Sequence, residues 1–322
     1  MPWTANRNGS FVEMMGQAGG TESRGGAPEG AGNSLRARLR ISVLLFAVVL
    51  ASGCATVRFG YDHAEGMILF WADRYLDFDR EQEQFARMAL ASWLQWHRQS
   101  EVPAYRGLLL EAQAMLAQPV DAEQLLALEE RIRARLLGEI ERALPELARL
   151  GLMLNGAQID RLEAKLAEGT RKAERERRDD ERTVETRLER YRGRFEHWIG
   201  DLEPSQEQTL RTLLREHPSH WQDGFAARRR WQAALVALLR EWQKARPADA
   251  IATERLGTWL KQAADPLVGQ DPQRAAVARL DVAHIVTAMI NSATPAQKAK
   301  VRARLADYAE DFRSLTASGR GP

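Results

Sequence analysis

The sequence is poor in cysteine and has no apolar run long enough to cross a membrane. Its single cysteine, Cys54, excludes an internal disulfide framework. The longest apolar run, residues 41–51, carries no charged residue. As a helix it would span only about 16 Å, at about 1.5 Å per residue, whereas the hydrocarbon core of a bilayer is about 30 Å thick. This run therefore does not predict a membrane-spanning helix.

Motifs for catalysis, metal binding and phosphate binding are also lacking. The sequence contains no HExxH, no GxSxG and no glycine-rich phosphate loop. His217 and His220 are two potential metal ligands, but Pro218 interrupts the helix that would align them and no third ligand is near. We therefore expect no enzyme activity, no metal, no bound cofactor and no small-molecule substrate.

What is present is an export signal that ends at the cysteine. Three arginines at 36, 38 and 40 precede the apolar run, and the small residues 52–53 stand directly before Cys54. This is the order of a secretory n-region, h-region and cleavage site. The alternatives are a core cysteine behind an ordinary signal and an uncleaved anchor.

The same stretch resembles the signal of bacterial lipoproteins, in which the cysteine is lipidated and becomes the new N-terminus. Ala51 stands where that family usually has leucine, and Leu50 lies one step earlier. Ala55 occupies the position where aspartate marks retention in the inner membrane of Gram-negative bacteria. The resemblance implies a covalent lipid on Cys54 and a place on the periplasmic face of the outer membrane rather than in the inner membrane.

The signal divides the chain into three parts. Residues 1–33 are rich in glycine and lack apolar periodicity, so we interpret them as disordered or as a mis-assigned translation start. Residues 34–53 are the signal peptide and residues 54–322 the mature domain. Export would remove five arginines and three glutamates from totals of 46 and 44, which leaves a formally neutral protein. Because a nucleic-acid partner requires a basic surplus, we expect none.

The mature chain has a helical pattern nearly throughout, with no alternation of Val, Ile and Thr typical of strands. We predict an all-α, elongated multi-helix bundle, with helix boundaries at Pro103 and Pro145. A very long helix is expected over residues 158–199. Its middle, residues 171–182, has eleven charged residues in twelve, which predicts either a solvated helix or a hinge. Two lobes, 60–165 and 185–316, would meet there.

A polar cap followed three residues later by glutamine recurs at four predicted helix starts. The pairs are Asp121 with Gln124, Asn155 with Gln158, Glu203 with Gln206, and Thr294 with Gln297. One interpretation is ordinary capping, because such a glutamine can bond back to the backbone N–H of the cap. The other is a resemblance to the Leu-Thr-x-x-Gln helix starts of small all-helical periplasmic chaperones, of which the stretches 202–206 and 293–297 are loose versions.

Aromatic residues are concentrated early in the mature chain. The stretches 58–61 and 75–79, with the later residues of the same region, resemble an uncharacterised family of Gram-negative lipoproteins, a resemblance that implies no activity. The candidate partner-binding residues are Tyr75, Trp93, Trp96, His97 and Tyr105. They form either an exposed groove for an apolar or peptide partner or part of a helix core, with His97 as its polar tip.

Together these patterns predict a lipid-anchored, non-enzymatic interaction module of the bacterial envelope. It would bind unfolded or partly assembled envelope proteins in the manner of a chaperone. The alternative is a structural or assembly factor with one dedicated envelope partner.

Overall fold

Every element in the described part of the chain is an α-helix. The computed structural model describes residues 53–218, 221–263 and 272–318. In chain order the helices are α1 Gly53–Asp62, α2 Ala64–Leu76, α3 Arg80–Met115, α4 Ala122–Met153, α5 Gly156–Glu181, α6 Val184–Ile199, α7 Pro204–Glu216, α8 Trp221–Ala245, α9 Asp249–Ala263, α10 Pro272–Ser292 and α11 Pro295–Ser318. The predicted all-α bundle is confirmed. The expected N-terminal segment 1–33 and the signal peptide up to residue 52 lie outside the described residues.

The chain divides into two compact units, one ending at Ala64 and the other covering residues 65–322. Within the second unit, helices from both expected lobes pack together. The most extensive helix pair is α3 with α11, and α8 and α9 pack against α5 and α4 respectively. Asn291, at the end of α10, exchanges two hydrogen bonds with the backbone of Val120, which lies just before α4 (2.9 and 2.8 Å). Helix contacts therefore cross the expected boundary between the ranges 60–165 and 185–316.

Two buried clusters form the core of this second unit. The first joins α4, α5, α8 and α9, and the second joins α6, α7 and α10. The first contains Leu144, Ala148, Leu154, Ile159, Leu162, Val236, Leu239, Trp242, Ala252, Leu256 and Leu260, and the second Leu188, Leu210, Leu214, Ile285 and Met289. The first cluster thus depends on leucine stripes that are almost a hundred residues apart in the chain.

Two helices continue through prolines that we expected to be helix boundaries. Pro103 lies inside α3 and Pro145 inside α4. An interior proline removes a backbone hydrogen bond and costs about 3 kcal/mol. Both prolines are exposed, whereas the residues before them, Val102 and Leu144, are buried. Packing of the neighbouring residues therefore outweighs the local cost of each proline.

The long helix expected over residues 158–199 is interrupted. It ends as α5 at Glu181 and resumes as α6 at Val184. Thr183 caps α6, since its hydroxyl accepts a hydrogen bond from the N–H of Thr186 (3.1 Å) and its own N–H donates to the Thr186 hydroxyl (3.0 Å). The junction is thus a specific helix start and the expected single helix is wrong.

The last residue of α5 is a buried acid surrounded by arginines. The Glu181 side chain is almost wholly buried and forms ion pairs with Arg177, Arg187 and Arg190. Arg187 also donates to two carbonyl oxygens at the end of α7 (2.6 and 2.8 Å). Burial and the neighbouring Arg190 lower the pKa of Arg177. The end of the charged segment is therefore a buried junction, where the sequence left open a solvated helix or a hinge.

Four helix starts are joined in pairs by their glutamines. Gln82 of α3 pairs with Gln158 of α5, and Gln206 of α7 pairs with Gln297 of α11. In the first pair the two side-chain amides donate to each other's oxygens at 3.0 and 2.6 Å, and in the second at 2.8 and 3.0 Å. All four side chains are buried. Each pair therefore fixes the crossing of two helices at their first turns.

The remaining amide positions close the caps of the same helices. Each glutamine oxygen accepts a hydrogen bond from the N–H of its own cap residue, and each amide nitrogen donates to the carbonyl two residues before the partner's cap. The cap residues are Asp79, Asn155, Glu203 and Thr294 (2.9–3.1 Å), and the carbonyls are those of Asp77, Met153, Asp201 and Ser292 (2.9–3.0 Å). Two donors and two acceptors per amide are thus fully used.

The pairing separates these four helix starts from an ordinary capping box in the same chain. Asp121 and Gln124 exchange the same two local hydrogen bonds (2.7 and 3.2 Å). Gln124, however, is exposed, and within the described residues its side chain hydrogen-bonds only to the cap of its own helix. The box formed by Asp79 and Gln82 has the same spacing but is not among the four pairs that the sequence pattern identified. Which two glutamines hydrogen-bond to each other could not be predicted from the sequence, because the pairing depends on how the helices pack.

A glycine allows α4 and α8 to approach closely. A Cβ atom on Gly151 would lie 3.0 Å from the ring of Trp242 and 3.1 Å from the side chain of Leu239. Gly138 of the same helix is exposed and would have nothing within 4 Å of an added Cβ.

We expect Gly151→Ala to lower the free energy of unfolding by about 1–3 kcal/mol, because the new methyl group overpacks the buried Trp242. The matched substitution Gly138→Ala should instead raise it by up to about 1 kcal/mol through helix propensity. Urea unfolding of both variants measures the difference. Equal stabilisation by the two substitutions would contradict the close packing of α4 on α8.

We expect Gln158→Ala to lower the free energy of unfolding by about 3 kcal/mol or more, because it leaves several buried hydrogen-bonding groups without a partner. The exposed Gln124→Ala should cost less than about 1 kcal/mol. A double-mutant cycle of Gln82→Ala with Gln158→Ala measures the coupling directly. Additive single effects would show that the two amides do not act together.

Candidate partner-binding site

Four of the five residues predicted to bind a partner lie together on α3. Trp93 stacks on His97 with ring centroids 5.0 Å apart, and Trp96 and Tyr105 lie 6.1 Å from Trp93 and 6.3 Å from His97 respectively. Steps of three, four and eight residues bring these rings to one side of the helix. All four side chains are partly buried. We call this group the α3 ring cluster.

Tyr75 does not belong to the α3 ring cluster. It lies near the end of α2 and packs, partly buried, against the first core cluster with Leu76. The sequence pattern grouped Tyr75 with the tryptophans because all are aromatic and close in the chain. The structure places it in a different set of contacts.

The α3 ring cluster is completed by Glu139 of α4, which the sequence analysis did not identify. The backbone carbonyl of Glu139 accepts a hydrogen bond from Trp93 Nε1 (3.0 Å), and its carboxylate oxygen lies 3.5 Å from His97 Nε2. The residue is buried. Because a buried carboxylate is costly unless paired, His97 has a specific role here as its neighbour. The structure therefore gives His97 an acidic neighbour that the sequence did not indicate.

A signal for Glu139 was present in the helical periodicity. Glu139 follows Ile132 by seven residues and Leu128 by eleven, which places it on the side of α4 that is buried. Leu136, three residues before Glu139, is exposed instead. An acidic residue on the buried side of an amphipathic helix could have been noticed, but its pairing with His97 depends on how α3 and α4 pack.

Charged side chains lie at the edges of the α3 ring cluster. The Arg142 guanidinium lies 5.7 Å from the centre of the Trp96 ring, and Arg135 forms an ion pair with Glu101 (3.0 Å). Burial raises the pKa of the Tyr105 hydroxyl, and the Glu139 carboxylate adds to the rise. The arrangement can offer ring edges to an apolar partner. Partner binding by these residues stays a prediction.

The structure provides less information on the possible metal ligands His217 and His220 and on the lipid-attachment residue Cys54. His217 Nδ1 lies 2.7 Å from a carboxylate oxygen of Asp281, and its ring is 5.7 Å from that of His284. His220 lies outside the described residues. In the described ranges we find no group of three or more His, Cys, Asp or Glu arranged to hold a metal ion. Cys54 falls in α1, and its side chain is outside the description.

A helix that crosses a bilayer needs about 20 predominantly apolar residues. Within residues 53–218, 221–263 and 272–318, no helix combines the length and the apolar character that a crossing demands.

We expect Tyr105→Phe to reduce the loss of stability at alkaline pH and to leave stability at lower pH nearly unchanged. Below pH 10, the usual pKa of tyrosine, both the folded and the unfolded protein keep this proton, and the substitution should alter the free energy of unfolding by less than about 1 kcal/mol. Above pH 10 the unfolded chain loses the proton first, so unfolding becomes easier as the pH rises. Part of this alkaline loss should vanish in Tyr105→Phe when urea unfolding is measured on both sides of pH 10. Identical profiles would place the hydroxyl in water.

The comparisons with known proteins concern the same region of the chain. Residues 74–253, more than half of the sequence, match the model of a family of unknown function (DUF6279). This range includes the α3 ring cluster, Glu139 and the first glutamine pair. No curated protein and no solved structure matches the chain. The chain belongs to the family of unknown function DUF6279.

Proposed function

We propose that the protein is a lipid-anchored, non-enzymatic interaction module that holds unfolded or partly assembled proteins of the bacterial envelope. Cys54 would carry the lipid, and the outer membrane, on its periplasmic face, would be the site of attachment. The helical unit of residues 65–322 would be the part that contacts other proteins.

The observation that carries this proposal is that four helices begin with the same sequence pattern. Each has an apolar residue or alanine, a polar cap, two further residues and glutamine, and the glutamines join in pairs. Ordinary capping accounts for the local hydrogen bonds but requires no pairing, as Gln124 illustrates. The second pair joins the two starts, 202–206 and 293–297, that loosely resemble the Leu-Thr-x-x-Gln of small periplasmic chaperones.

Lipid attachment is supported by the order of basic residues, apolar run, small residues and cysteine. A single acyl chain binds a membrane only marginally, and stable anchoring takes two or more, as on a bacterial lipoprotein cysteine. Such an anchor would keep a formally neutral helical protein at the membrane without a spanning helix.

Client binding is supported by apolar side chains on the outside of the helices. Leu136 and Leu147 of α4 are both exposed and stand eleven residues apart, which is about three turns and therefore the same side of the helix. Single exposed leucines are common on soluble proteins. Two on one side of a helix offer a short apolar strip to an unfolded chain.

The test is suppression of aggregation by the mature protein, exported with an ordinary signal and carrying Cys54→Ser. We expect several unrelated denatured proteins to stay soluble at near-stoichiometric ratios. The variant with Leu136→Ser and Leu147→Ser should suppress less, because a client is held by apolar contact, while Gln124→Ser on the same helix should act as the unchanged protein does. Light scattering during dilution from urea measures the effect.

Absence of suppression with every client would remove the chaperone proposal. Crosslinking in cells then addresses the alternative. One dominant crosslinked product would favour an assembly factor with a dedicated partner, and a diffuse set of products would favour binding of many clients.

A further inference from the structure

Helix α2 is apolar on two sides, of which the core uses one. Leu69 is buried and Leu76 packs partly buried against the first core cluster. On the outside, Ile68, Phe70 and Trp71 are exposed, and 59% of the Phe70 surface is accessible. A water-facing helix normally carries polar residues on its outer side. The outer side of α2 therefore fits a surrounding less polar than water.

Three exposed residues of α2 and the partly buried Met67 form an ordered face. Met67, Phe70, Trp71 and Arg74 follow each other at steps of three, one and three residues, so they share one side of the helix. The Arg74 guanidinium lies 5.9 Å from the centre of the Phe70 ring and 5.1 Å from that of Trp71. We call these four residues the α2 face.

The composition of the α2 face matches the boundary between lipid headgroups and acyl chains. Tryptophan is enriched at this depth because its ring is apolar while its N–H remains hydrogen-bonded. Arginine can bury its stem in the same layer while its charge stays among the phosphates.

The position of the α2 face in the chain gives the second reason. Phe70 follows Cys54 by sixteen residues, and the intervening chain is helical in α1 and α2. Sixteen residues span no more than about 58 Å even when the chain is fully extended. A lipid on Cys54 would therefore keep the α2 face at high effective concentration beside a bilayer, so that even weak insertion is favoured.

Helix α2 is also tied to the rest of its unit. Arg161 of α5 lies 3.5 Å from the Asp77 carboxylate and donates to the carbonyl of Arg74 (3.4 Å), and the N–H of Phe78 donates to the Asp73 carboxylate (2.9 Å). A contact made by α2 would therefore hold α5 and its neighbours in one orientation to the bilayer.

We propose that the α2 face of Met67, Phe70, Trp71 and Arg74 inserts into the interfacial layer of the membrane that carries the Cys54 lipid. The inference rests on the lipid attachment in the proposed function and is independent of client binding. It adds a second, non-covalent membrane contact that orients the helical unit.

The test uses the lipidated protein in phospholipid vesicles and an environment-sensitive fluorophore on one introduced cysteine. Because Cys54 is the sole cysteine of the chain and its sulfur would be blocked by lipid, Phe70→Cys provides the only free thiol. Met88→Cys on α3 is the matched control, since Met88 and Phe70 have the same exposed fraction of 59%. We expect a blue-shifted emission at position 70, quenched by spin-labelled lipid and protected from iodide, and the opposite at position 88.

Three results would overturn the inference. Iodide quenching at position 70 equal to that at 88 would leave the α2 face in water. Protection from iodide without quenching by lipid would mean that protein covers it. Reaction of the unsubstituted protein with the fluorophore would show a free Cys54 thiol and remove the anchor. A failure to suppress aggregation leaves all three readouts unchanged, so it is distinguishable from them.

Discussion

A side-chain amide can be buried at low cost only when its two donors and two acceptor positions are all used. This requirement dominates the architecture of the helical unit. Gln82 and Gln158 meet it by bonding to each other, to their own caps and to the chain before the partner's cap, and Gln206 and Gln297 repeat the arrangement. Since any shift of one helix breaks bonds on both, each pair defines where two helices begin and how they meet.

The two pairs connect distant parts of the chain. The two glutamines of the first pair are 76 residues apart in the sequence and those of the second pair 91, so neither pair forms from local structure alone. Between Gln158 and Gln206, the buried Glu181 and its arginines fix the turn from α5 into α6 and hold it to α7. Polar contacts thus occupy the ends of the helices while leucines and Trp242 fill the space between them. The polar junctions supply direction, which non-directional apolar burial cannot provide.

Local chemistry in the sequence was sufficient for the fold class and for most helix starts. Leucine periodicity and cap residues such as Asn155 and Thr294 act within one or two turns, and a pattern of that length can be recognised without tertiary information. The continuation of α3 through Pro103, the break after Glu181 and the burial of Glu139 depend on the neighbouring helices. The same limit applies to the candidate site, where spacing grouped the α3 rings correctly but could not reveal the acid beside His97.

Membership in a family without an assigned activity leaves the surface as the guide to function. The polar groups of the glutamine pairs and of the Glu181 junction already have partners within the protein, and such groups are poor starting points for binding another molecule because each contact would first have to be broken. The apolar and aromatic side chains of α2 and the outer side of α4 face water and have no comparable internal demand. Covering them would release water from apolar surface without disturbing the fold, and this is the physical basis of our two proposals, binding to lipid and binding to unfolded protein.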